Sequence, residues 1–70
     1  MAEHPKIAYA RKYCRERNLR YQIKGSYDAL FLYVPQIGHY VQACFSLLNF
    51  QNDEEIAKFI DKEIKNYHLM

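Results

Sequence analysis

Seventy residues that are 50% apolar and 26% charged, with seven tyrosines and four phenylalanines, have the composition of one small globular domain with a modest core. The longest apolar runs, 29 to 35 and 43 to 50, are too short to span a bilayer, and charges stand where a signal peptide needs an apolar stretch, so a cytoplasmic chain is expected. The net charge of +2 is uneven: up to Pro35 seven basic residues meet three acidic ones, giving +4, and beyond it three meet five, giving −2.

Pro5 suits a first helical turn, and good helix formers follow to Arg17. At 100° per residue Ile7, Ala10, Tyr13 and Cys14 share one side, while Arg11, Lys12 and Arg15 gather on the opposite arc. "LRYQIKG" then changes period to 2, with Leu19, Tyr21 and Ile23 on one face of a strand and Arg20, Gln22 and Lys24 on the other. The two glycines, Gly25 and Gly38, follow strand-like runs, so "GSYD" and "PQIG" are expected as hairpin turns.

Between those turns lies "ALFLYVP", residues 29 to 35, a strand with almost no polar residue and therefore with two faces to cover. A third strand is expected over His39 to Leu48. Strict alternation puts Val41, Ala43, Phe45 and Leu47 on its core face and Tyr40, Gln42, Cys44 and Ser46 on the other.

The last element carries the strongest helix signal. Asn52 is placed to cap the first turn, Glu55 to reach back, and Asp53 and Glu54 to meet the positive end of the dipole. Ile56, Phe59, Ile60, Ile64 and Tyr67 form its apolar stripe, and Glu54 with Lys58 and Asp61 with Lys65 are spaced as outward ion pairs. Glu63 projects close to the apolar arc, which predicts an edge position beside a lysine or tyrosine.

These elements define an α+β fold, a single αβββα domain over residues 1–70 in which a three-stranded antiparallel meander carries both helices on one face. That arrangement buries Leu30, Leu32 and Val34 and leaves Phe31 and Tyr33 on a face with no helix to cover it, flanked by Tyr40 and Gln42 on one neighbouring strand and by Arg20, Gln22 and Lys24 on the other. Phe31, Tyr33, Tyr40 and Gln42 are the expected partner-binding residues, on the pattern of an aromatic centre with a polar rim. The alternative is a nucleic-acid surface in which bases stack on those rings while Arg11, Lys12, Arg15, Arg20 and Lys24 meet phosphates. Six of the ten basic residues fall within positions 11 to 24.

The element order is similar to that of double-stranded-RNA-binding domains, a family that places lysines at the start of its last helix, where this chain has Asp53, Glu54 and Glu55. With "IKGSY" closing the first strand, the order also resembles the HicA-type messenger-RNA-cleaving toxins, whose catalytic histidine follows a Gly-Ser pair. Tyr27 occupies that position here, so the resemblance implies an RNA-cleaving toxin-like domain without its catalytic histidine.

Two glycines in separate turns cannot build a phosphate-cradling loop. His4, His39 and His68 lack ligand spacing and are expected at the surface, and Cys14 and Cys44, without a CxxC pattern, read as reduced small hydrophobes and not as a disulfide or zinc site. The sequence therefore points to a non-enzymatic binding module with no cofactor, no metal, no small-molecule substrate and no membrane. An adaptor- or inhibitor-like protein that binds another protein or a second copy of itself is the leading expectation, ahead of nucleic acid.

Overall fold

The computed structural model describes residues 3–69. Helix α1 runs over Pro5–Glu16, with the His4 ring accepting a hydrogen bond from the Lys6 amide at 3.1 Å. It stops because Asn18 adopts a left-handed φ of 57°, which lets the Asn18 and Leu19 amides donate back to the Arg15 and Cys14 carbonyls, each at 3.0 Å. Three strands follow, β1 (Tyr21–Lys24), β2 (Ala29–Val34) and β3 (His39–Cys44), in an antiparallel sheet of order β1-β2-β3. Gly25 and Gly38 supply the positive φ, 88° and 86°, that the two connecting turns require. A short 3-10 turn, Leu47–Asn49, leads into helix α2, Asp53–Tyr67, which Asn52 caps by accepting from the Glu55 amide at 2.9 Å.

Both helices lie on one face of the sheet. Ile7, Ala10, Tyr13 and Cys14 of α1 and Ile56 and Ile60 of α2 close a core with Leu30 and Leu32 of the central strand, and Leu47 completes it. Leu19, Tyr21 and Ile23 pack against this cluster, in the phase read from the first strand. The Tyr33 amide donates to the Arg20 carbonyl at 2.9 Å, which carries the pairing one residue beyond β1.

The helices are joined by a polar latch. The Tyr13 hydroxyl donates to Asp61 at 2.7 Å, and the Arg17 guanidinium lies 3.4 Å above the Tyr13 ring with one nitrogen 3.8 Å from the same carboxylate. Burial, followed by the bond to Asp61, pushes the Tyr13 phenol up to about 12. This corrects the pairing of Asp61 with Lys65: Asp61 turns toward α1, while the Glu54–Lys58 pair forms as spaced, at 3.4 Å. Glu63 is half-buried, near enough to Cys44 for its charge to raise that thiol's pKa on top of the larger effect of burial.

The third strand departs from strict alternation. Its pairing with β2 runs Val34–His39, Tyr33–Tyr40, Leu32–Val41 and Phe31–Gln42, and then Leu30 pairs with Cys44, leaving Ala43 as the extra residue of a β-bulge. Up to Gln42 the expected faces hold. Beyond the bulge Cys44 and Phe45 exchange faces, Cys44 packing on the core and Phe45 turning to the opposite face, while Leu47 lies in the core as expected. Ser46, expected on the open face, is instead buried and caps the 3-10 turn, its Oγ accepting from the Leu48 amide at 3.2 Å. Strand β3 therefore ends at Cys44, four residues before the expected boundary. Among the described residues no helix is long and apolar enough to cross a membrane.

Candidate interaction surface

With both helices on the Leu30/Leu32 side, the other side of the sheet is open. Along its middle strand Phe31 and Tyr33 stand two residues apart, with Gln22 and Gln42 opposite Phe31 and Tyr40 opposite Tyr33. The Tyr33 and Tyr40 rings meet edge to face, their centroids 5.4 Å apart. Two cations reach across from the β1 side: the Arg20 guanidinium carbon is 4.4 Å from the Tyr33 ring centroid and the Lys24 ammonium 4.9 Å from that of Phe31. These contacts leave Phe31, Tyr33 and Tyr40 half-buried instead of bare.

The more exposed apolar surface lies at the turn end of the same face. Phe45, redirected by the bulge, stacks on Tyr27 of the β1–β2 turn with centroids 4.9 Å apart, and the two residues are 62% and 61% exposed. Between this pair and Phe31 is a concavity of about 310 Å³, lined also by Lys24, Gln42 and Ala29. Ala29 contributes only a methyl group there. The loop after β3 is held against the turn by the Leu47 amide, which donates to the Asp28 carbonyl at 3.2 Å, and this fixes Phe45 beside Tyr27.

The basic residues are divided between this surface and the helical layer. Arg20 and Lys24 lie on it. Arg11 is in the helical layer, bonded to Glu3 at 2.8 Å, and that bond raises its pKa. Lys12 and Arg15 are exposed on the outward side of α1, turned away from the core that separates α1 from the open face. The run from 11 to 24 is dense in sequence and divided in space.

Of the expected partner-binding residues, Phe31, Tyr33, Tyr40 and Gln42 come together on the open face. Tyr27 and Phe45, its most exposed rings, escape a reading by periodicity: one sits in a turn and the other lies beyond a bulge that shifts the phase. His4 and His39 make local backbone contacts, His39 Nδ1 lying 3.0 Å from the Tyr40 carbonyl oxygen, and among the described residues no three His, Cys, Asp or Glu side chains gather as a metal site. Compared with known protein families, curated proteins and solved structures, the chain shows no match.

Proposed function

We propose that this chain is a protein-binding module, adaptor- or inhibitor-like, that takes a segment of another protein on the open face of its sheet. One observation carries the reading: Tyr27 and Phe45 are stacked and mostly exposed at the rim of an apolar concavity, on a face that no helix covers. Large apolar side chains grouped at a surface and rimmed by polar ones are the pattern of a protein interface, and burying one such ring fully is worth about 1.5–3 kcal/mol. Gln42 and Lys24 provide the polar edge of the concavity, while Phe31, Tyr33 and Tyr40 extend the surface along the sheet. The strand positions on this face carry rings, amides and cations, which suit recognition.

The test is selection of random twelve-residue peptides displayed on phage, run in parallel on the wild-type chain and on Phe45→Ser. Peptides retained by the wild type and lost on the variant support the reading when they also shift the amide resonances of Ala29, Phe31 and Gln42. A selection that yields no peptide dependent on Phe45 would refute it.

A further inference from the structure

Resting on that reading, we infer that the segment bound is an extended one with an apolar side chain seated between Phe45 and Phe31 and with carboxylates two and four residues from it, in either chain direction. Two features of the face specify this occupant, namely its charge and its spacing.

The strand positions of the open face carry Arg20 and Lys24 and no carboxylate. Among the described residues neither cation enters an ion pair, as is also true of Lys6, Lys12, Arg15, Lys62 and Lys65; Arg20 and Lys24 differ in standing over the rings of this face. Each is already held against a ring, so less side-chain freedom is lost when a carboxylate arrives. The complement of an apolar hollow beside two uncompensated cations is an apolar anchor beside two anions.

The spacing follows from the strand. Ala29 at the concavity, Phe31 under Lys24 and Tyr33 under Arg20 succeed one another at every second residue, roughly 7 Å apart at each step. An extended segment lying along β2 repeats at the same interval. Its anchor at the concavity therefore puts the residue two positions on near Lys24 and the one four positions on near Arg20.

The two other occupants fit less well. A second copy packed face to face by a two-fold axis would bring two Arg20 and two Lys24 side chains into one interface without a carboxylate between them. Single-stranded nucleic acid needs a cationic groove that follows its backbone, and here Lys12 and Arg15 lie on the far side of the molecule.

Three displayed peptide libraries decide the matter, each with a fixed central Leu or Phe and with the positions two and four residues away restricted to Asp/Glu, to Asn/Gln or to Lys. The Asp/Glu library is expected to be the one enriched. Peptides isolated from it should bind about two- to fivefold more weakly to Lys24→Gln and to Arg20→Gln than to the wild type, and more weakly as salt is raised. Enrichment of the Asn/Gln or Lys library through contacts that still depend on Phe45 would overturn the acidic motif and leave the protein-binding reading standing. Three results would overturn both: no Phe45-dependent peptide in any library, displacement of the bound peptide by a twelve-nucleotide oligothymidine, or a dimer in light scattering that Phe45→Ser dissociates.

Discussion

Phe45 and Tyr27 stack with their ring centroids 4.9 Å apart on the face opposite the core, although the residue before Phe45, Cys44, and the second one after it, Leu47, both pack into that core. The bulge at Ala43 makes this possible by setting Cys44 opposite Leu30. The strand thus fills the core on one side and presents a ring on the other, just where the Tyr27 turn reaches the same surface.

Replacing Phe45 is therefore a surface change. Phe45→Ser should cost less than about 1.5 kcal/mol, the upper range for an aromatic pair, whereas Leu47→Ala, which empties a fully buried site, should cost about 2–5 kcal/mol. Urea denaturation of the two variants gives the comparison. Equal losses would place the Phe45 ring in the core and remove the exposed stack.

The elements and their order were legible because they rest on local chemistry: Pro5 at a helix start, alternation from Leu19 to Lys24, glycines at 25 and 38, and Asn52 before three acidic residues. The phase of Phe31 and Tyr33 was legible too, since β2 runs without interruption between two turns. What escaped was non-local. A bulge is a two-against-one pairing with the neighbouring strand, and nothing in "VQACFS" marks Ala43 as the extra residue. Asp61 likewise looked like a partner for Lys65 because helical spacing cannot show that Tyr13 waits across the interface at 2.7 Å.

The two thiols should be slow to react. Burial pushes Cys14 up to about 11, and Cys44 is raised by burial and then by the Glu63 charge, against partial relief from backbone hydrogen bonding. At pH 8 an aromatic disulfide reagent should label Cys14 only as the protein unfolds. In a Cys14→Ala background, Glu63→Gln should speed the labelling of Cys44, since it removes a charge that disfavours the thiolate. An unchanged rate would mean that Glu63 lies too far from Cys44 to act on it.

The cap of α2 should also be measurable. The Asn52 side chain satisfies the Glu55 amide at 2.9 Å, and three acidic residues follow it in the first turn. Asn52→Ala should destabilise the chain by about 0.5–2 kcal/mol, while Asn52→Ser should restore most of the loss because serine can accept the same bond. Thermal melts of both variants are sufficient, and an Asn52→Ala protein as stable as the wild type would rule the cap out.

The latch between the helices has a pH signature with a definite sign. In the folded chain the Tyr13 phenol rises from 10.0 to about 12, because burial and then the bond to Asp61 favour its protonated form. Between those two values the folded state keeps a proton that the unfolded state has released, so the contribution of Tyr13 to stability is intact below pH 10 and is lost as the pH climbs toward 12. Tyr13→Phe should cost about 1 kcal/mol at neutral pH and flatten that alkaline decline relative to the wild type, the six other tyrosines being common to both. Asp61→Ala should flatten it partly, since burial, the larger cause, remains. Parallel alkaline slopes for wild type and Tyr13→Phe would show that the Tyr13 phenol ionises alike in the folded and unfolded chains.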